Sequence, residues 1–333
     1  MAERYGRTTK ILRYYWREIY FETTRRFGIW AKENGELDVQ LANLKYQSKY
    51  ESIEKEVINE IKDLHEHTPK YDFQETSQQE ILSQHNVEVI NINGAYIKQQ
   101  TGKVKLLKDG EVFGVEEYNS EYFLKRGYQV IFTESVPFHA LFGVYMWILI
   151  QTTDEKNRMV GFGDRHAFDK GMSGEMVWTL LPEDFATKGY GERRSHAIQK
   201  HLLSLPKDKM NLLWTFDYWI EPSSDLRQYL WAHRQKDIET ARKIVEILPI
   251  DAIMRVLEYL VKDYWDRFCG WPDLLVYNSS EYFFVEVKSS GDKLSSDQKN
   301  WIKGNYHHLH LPFKLVKIHR SSVISLDEIN NDK

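Results

Sequence analysis

The stretch from Gly270 to Lys288 constrains this fold more than any other part of the chain. Gly270-Trp271-Pro272-Asp273 leads into the apolar run Leu274-Leu275-Val276-Tyr277; Asn278-Ser279-Ser280-Glu281 is polar; Tyr282-Phe283-Phe284-Val285-Glu286-Val287-Lys288 follows. Two β-prone runs joined by a short polar turn predict an antiparallel hairpin. Strand side chains alternate, so Phe284, Glu286 and Lys288 share one face and Phe283, Val285 and Val287 the other. An acid and a lysine therefore sit side by side on a mostly apolar strand, and the pairing brings Asp273 toward Glu286. Converging carboxylates repel unless a cation joins them. A hard divalent ion takes oxygen ligands from carboxylates, a backbone carbonyl and water, and leaves room for a phosphate. Lys288 can then orient or help deprotonate water and offset charge on a phosphorane-like transition state. The bland alternative is an exposed Glu–Lys pair on a surface hairpin, worth little. The Pro-Asp, its 13-residue interval to Glu286 and the residues that follow weigh against it.

Beyond the hairpin, Gly291 permits a sharp exit, and Ser295 with Gln298 has the spacing of a capping box that opens a helix. That helix N-terminus would lie beside the strand end and favour an anion. From Val287 to Arg320 the local net charge is +5, which suits either a phosphate-tracking surface or, in part, a solvated helix face. Residues 1–30 are net +4, with Tyr14, Tyr15, Trp16, Tyr20 and Phe21 interleaved among the charges. Helical spacing puts Lys10, Arg13 and Arg17 on one face and Ile11, Tyr15 and Ile19 on another. This fits a nucleic-acid contact or an amphipathic helix packing its aromatics inward. Over all 333 residues the net charge is −4, which argues against coating of nucleic acid by bulk electrostatics.

A hydrophobic share of 42% supports a real core in one large domain or two modest ones, and 10 Trp, 20 Tyr and 16 Phe rule out whole-chain disorder. The one cysteine, Cys269, excludes an intramolecular disulfide and a cysteine-based zinc site. The longest apolar stretch, Phe138 to Ile150, is shorter than the ~20 residues a bilayer requires, so no membrane partner is expected.

Helical spacing recurs from Tyr50 onward and over Val115–Arg126, Phe138–Ile150, Arg193–Leu205, Ile238–Leu248 and Ile250–Trp265. Short strands are predicted at Val87–Ile92, Ala95–Lys98 and Val104–Leu107, with Asp109-Gly110 turning the chain before Val112 and Phe113. Residues 68–85 read as an exposed linker. His307, His308 and His310 read as a strand edge or loop rather than a metal set.

Gly-x-Pro-Asp-Leu at 270–274, Phe-x-Glu-Val-Lys at 284–288, Gly-Asp-x-Leu-Ser-x-x-Gln at 291–298, Trp301 and a Phe313–His319 strand together resemble the VRR-NUC branch of the PD-(D/E)xK nucleases across residues 254–320. Upstream, Val115-Glu116-Glu117, Gly127-Tyr128, Thr133-Glu134-Ser135, Leu141-Phe142-Gly143 and Trp147 resemble the helix-and-acid region of the Fanconi-associated nucleases. The resemblance implies an α/β protein: a restriction-endonuclease-like core, with a mixed β-sheet flanked by helices, behind a mainly helical N-terminal extension. It implies a 5′ flap endonuclease and 5′-to-3′ exonuclease in DNA repair, with Mg²⁺ or Mn²⁺ as cofactor. Partners would be DNA with branched, flap or single-stranded ends, together with a second copy of the chain or other repair proteins. By position, Glu134, Asp273, Glu286 and the Val287 carbonyl would bind metal and Lys288 would be the catalytic lysine. Localisation would be cytoplasmic and nucleoid-associated in a prokaryote or virus, and nuclear in a eukaryote.

The expected organisation is an N-terminal region at 1–105 with a DNA-binding role, and a nuclease region at 106–325 holding the 254–320 core. Where relatives carry a basic cluster ahead of the hairpin, this chain has Trp265-Asp266-Arg267-Phe268-Cys269. Arg193 and Arg194 are the substitute DNA contacts, against a plain helix N-terminus, and Lys293 and Gln298 complete that set. Rival readings are a restriction or anti-phage defence nuclease on the same core and a non-catalytic DNA-binding protein.

Overall fold

The predicted hairpin lies inside a seven-stranded mixed sheet in the computed structural model, which describes residues 10–36, 44–67, 76–97, 104–152, 157–163 and 176–324. Its strands are β1 (Glu88–Ile97), β2 (Lys105–Lys108), β3 (Glu111–Phe113), β4 (Gln129–Phe132), β7 (Leu274–Tyr277), β8 (Tyr282–Lys288) and β9 (Phe313–Ile324), in the order β3-β2-β1-β9-β8-β7-β4. β1, β9 and β8 run parallel and the outer pairs antiparallel. β5 (Asn157–Gly163) and β6 (Met176–Pro182) form a separate two-stranded ribbon.

The helices in chain order are α1 (Lys10–Glu33), α2 (Leu44–His67), α3 (Gln78–Gln84), α4 (Val115–Leu124), α5 (Val136–Ile150), α6 (Lys188–Arg193) and α7 (Ser195–Ser204). They continue with α8 (Lys209–Trp219), α9 (Ser224–Tyr229), α10 (Gln235–Ile247), α11 (Ile250–Lys262), α12 (Tyr264–Arg267) and α13 (Ser296–Gly304). A π turn, Asn305–Leu309, joins α13 to the loop before β9.

The sheet is buried on both faces, as expected of strands with near-continuous apolar runs. Leu275, Phe284 and Leu315 face a large helical core built on α5, α10 and α11. Leu274, Val276, Phe283, Val285 and Val287 face a smaller cluster closed by Tyr118 and Phe123 of α4. Parallel β8 and β9 need a crossover, which α13 supplies. Tyr15, Ile19 and Phe27 of α1 pack against Ile53 and Val57 of α2 in a third cluster, the inward-packing alternative for that aromatic helix. The side chains of Lys10, Ile11, Arg13 and Arg17 lie outside the described residues.

Several local expectations change. Val87–Ile92 and Ala95–Lys98 are one strand, β1, interrupted by a register shift at Gly94/Ala95. The sheet also crosses residue 105, because β1 pairs with β9 along its length. Within the expected linker, residues 68–75 lie outside the described residues, but Gln78–Gln84 is a helix capped by Ser77. Asp109 and Gly110 do form the hairpin turn, with φ of 53° and 82°, the positive pair that a type I′ turn uses. The helix predicted over 193–205 is α7, which begins at Ser195; Arg193 closes the preceding helix α6, and the two meet at Arg194.

Candidate active site

The four-residue turn closes as its composition suggests. The Asn278 N–H donates to Glu281 O at 2.9 Å, and Asn278 Oδ1 accepts from the N–H groups of Ser280 and Glu281. This fixes the register Leu274↔Val285 and Tyr277↔Tyr282, which sets Asp273 beside Val287 at the far end. There the Val287 N–H donates to Asp273 Oδ2 at 2.8 Å. On the helical-core face, Glu286 is 2% exposed and Lys288, two residues on, is 12% exposed, with Nζ 2.8 Å from Glu286 Oε1. Burial pushes the Asp273 carboxyl up to about 6, reinforced by Glu116 and Glu134 and opposed by the Val287 N–H and Lys288. Burial likewise pushes Glu286 up to about 8, with Asp273 adding to the shift and Lys288 opposing it. With both acids ionised, the one lysine would leave a net negative charge in a buried site.

The helix after the strand is tied to the same carboxylate. Ser295 Oγ accepts from the Gln298 N–H at 3.2 Å, and the Ser295 N–H donates to Gln298 Oε1 at 2.9 Å, completing the predicted capping box. With its oxygen held by the cap, the Gln298 amide aims its nitrogen at Glu286 Oε1, 2.5 Å away. Gln298, expected at the DNA, is thus a partner of Glu286. The α13 N-terminus is in turn tied to the former linker: the Leu294 N–H donates to Gln78 Oε1 at 2.7 Å, and Lys299 Nζ to Thr76 O at 2.8 Å.

Glu134 joins from the opposite side. The Thr133 N–H donates to Asp273 O at 2.8 Å, the Thr133 hydroxyl to Pro272 O at 2.8 Å, and the Glu134 N–H to Pro272 O at 3.1 Å. These bonds bind the turn between β4 and α5 to the start of the hairpin. Phe138, one turn into α5, stacks on Trp271 with ring centroids 3.9 Å apart. Glu134 itself is exposed and has φ 48°, a conformation that costs a non-glycine residue energy. Glu116, at the N-terminus of α4, is near enough to raise the Asp273 carboxyl. The chain pattern gave it no role of its own, because it belongs to a helix on the other face of the sheet.

The proposed DNA contacts separate. Lys293 is exposed on the turn after β8. Arg193 is bound by Asp184, with Nε–Oδ2 at 2.9 Å and Nη2–Oδ1 at 2.7 Å. Arg194 is buried and donates to Leu149 O at 2.7 Å and the Tyr190 hydroxyl at 3.1 Å, so its guanidinium closes the C-terminal end of α5 instead of facing solvent. The three histidines sit on the π turn and just after it, where His310 has φ 50°. Among the described residues, no three acids or histidines converge closely enough to coordinate an ion as they stand. No helix among them is long and apolar enough to cross a membrane.

The mixed sheet flanked by helices carries an acid ahead of one strand and an acid and a lysine at the end of its hairpin partner, an arrangement that resembles the PD-(D/E)xK type of core. Residues 213–308 match the family model of the VRR-NUC domain. The chain resembles the Fanconi-associated nucleases. It is 27% identical over 203 residues to the Fanconi-associated nuclease 1 homolog of Arabidopsis thaliana, covering 59% of this chain and 21% of the relative. It is 27% identical over 198 residues to Fanconi-associated nuclease 1 of Homo sapiens, covering 56% of this chain and 18% of that protein. The chain thus matches about a fifth of the length of these relatives. The crystal structure of paFAN1 bound to DNA with a 1-nucleotide 5′ flap and a gap shares the fold, with TM-score 0.50, 16% identity, and coverage of 94% of this chain and 56% of that one.

Proposed function

We propose that this chain is a divalent-metal-dependent, structure-directed DNA nuclease of the 5′ flap endonuclease and 5′-to-3′ exonuclease type, acting in DNA repair. The observation that carries this reading is the meeting of Asp273, Glu286 and Lys288 at one strand end, with Glu134 bound to the same backbone. The donor chemistry fits Mg²⁺ or Mn²⁺: the set is all oxygen, and two buried carboxyls that share a single lysine hold on to protons that a divalent ion could replace. Asp273, Glu286, Glu134 and the Val287 carbonyl would hold the ion. When bound, it would neutralise phosphate charge and make water more acidic.

The chain's own groups supply the rest. Lys288, anchored at Glu286 Oε1, is placed to hold the attacking water, accept or relay its proton, and offset charge building on the phosphate. Gln298 holds Glu286 in one orientation, so the acid does not have to reorganise during turnover. Lys293 at the site's edge offers a phosphate contact that would position the backbone without reading bases.

Labelled flap, nicked, hairpin and single-stranded DNA incubated with Mg²⁺, Mn²⁺ or EDTA test the reading. Cleavage is expected only with metal, fastest on the 5′ flap, and lost in Asp273→Ala and Lys288→Ala. Undiminished cleavage by Asp273→Ala would overturn the site assignment. Equal rates on every substrate would overturn the flap preference.

A further inference from the structure

α8 turns an apolar stripe to solvent. Met210, Trp214 and Tyr218 recur at every fourth position and are 77%, 62% and 65% exposed; Leu203, in the last turn of α7, is 71% exposed. The Trp214 and Tyr218 rings stack with centroids 5.1 Å apart and planes 7° from parallel, so the pair stands as one aromatic block that shows its outer faces and edges to solvent. The other side of the helix is firmly held. Leu212 and Phe216 are fully buried, the Tyr145 hydroxyl donates to Leu212 O at 2.9 Å, and Lys209 Nζ donates to Val245 O at 2.6 Å at the end of α10. The exposed rings therefore ride on a rigid element.

Covering these four side chains would remove on the order of 500 Å² from water, large for a patch on a monomer and about the apolar centre of an interface burying ~800 Å² per partner. Their types indicate what covers them. Met, Trp and Tyr are enriched where proteins meet, whereas a stacking platform for nucleic acid would need Lys or Arg between the rings, and the stripe itself has none. The flanking charges narrow the choice further. Lys207 stands just before α8, beside Asp208, with its Nζ donating to Leu202 O at 3.0 Å, and Lys200 is exposed on the preceding helix α7; Glu221 and Asp225 stand just beyond the other end of α8, and Asp217 is already bound by Arg242 at 2.7 Å. A stripe with a basic end and an acidic end is complementary to its own copy when the two helices run antiparallel across a two-fold axis.

We propose that the α8 face is the two-fold interface between two copies of this chain, with Trp214 and Tyr218 against their counterparts. This inference is independent of the nuclease reading.

Sedimentation velocity of the full chain from about 1 to about 100 µM tests it. A concentration-dependent dimer is expected. Trp214→Ser with Tyr218→Ser should raise the dimer Kd by at least about 30-fold while the thermal unfolding curve stays in place. Glu221→Lys should weaken the dimer, and adding Lys200→Glu to the same chain should restore it, because in a two-fold pair each reversed acid meets a reversed lysine. A wild-type chain that stays monomeric throughout the range overturns the proposal, as does a double-serine variant that dimerises like the wild type. Trp214 fluorescence quenched by oligothymidylate in a strictly monomeric protein would assign the stripe to single-stranded nucleic acid instead.

Discussion

Glu134 carries its charge at φ 48°, where an ordinary side chain costs about 1–2 kcal/mol, and the Thr133 and Pro272 bonds hold it there. Strain of this kind falls on an acid whose charge acts on Asp273, as expected if the position serves the proposed site and not stability. Replacing Glu134 by Ala keeps the strain, and replacing it by Gly releases it. Glu134→Gly should therefore be at least as stable as Glu134→Ala in urea, although Gly is ordinarily worse by about 0.5–1 kcal/mol, and both variants should be inactive. A glycine variant weaker by the ordinary margin would show that the backbone is relaxed. The Gln298 amide is oriented by Ser295 and bonded to Glu286, so Gln298→Ala should slow cleavage by about 10–100-fold with little loss of stability. Ser295→Ala should lose about 1 kcal/mol of cap energy and also slow cleavage, because the amide is then free to turn. Cleavage at the wild-type rate in Ser295→Ala would detach the cap from the site.

At the scale of elements, the hairpin, its four-residue turn and the capping box were legible because each is specified by neighbours in sequence. The parts that position the site from a distance were not. α3 holds α13 through Gln78 and Thr76, more than 200 residues away along the chain, and its composition reads as linker. Arg194 follows Arg193 in a basic pair that looks like a phosphate clamp, yet only Arg193 reaches the surface; the helix break between α6 and α7 turns Arg194 inward. The two should separate on mutation. Arg194→Ala strands the Leu149 carbonyl and should cost about 1–3 kcal/mol, leaving the salt dependence of DNA binding unchanged. Arg193→Ala should be nearly neutral for stability. Filter binding across a salt series, alongside denaturant melts, distinguishes them; a flatter salt slope in Arg194→Ala alone would put that residue back at the DNA. Gly270 tests the packing of the same elements. At φ 81° its missing Cβ would lie 2.3 Å from Asp297 O of α13, so Gly270→Ala should destabilise by at least about 2 kcal/mol and disturb Glu286 through α13.

For the molecule as a whole, the site is a source of instability that the proposed cation would relieve. Folding lifts the Asp273 and Glu286 carboxyls to about 6 and about 8, so the folded chain keeps protons that the unfolded chain has already released. Between the ordinary carboxylate range and pH 8, each rise in pH then favours unfolding, and above pH 8 this contribution levels off. In EDTA the melting temperature should fall through that window more steeply in the wild type than in Glu286→Gln, and at pH 8 the variant should be the more stable of the two despite its lost activity. The proposed divalent ion would take the place of the withheld protons, so the stabilisation by Mg²⁺ should be larger at pH 8 than at pH 6 and largely absent in Glu286→Gln. Scanning fluorimetry at both pH values, with and without Mg²⁺, measures all of these quantities on one plate. Parallel pH slopes for the wild type and Glu286→Gln would mean that Glu286 ionises at its ordinary pH and that its burial carries no charge for a metal to balance.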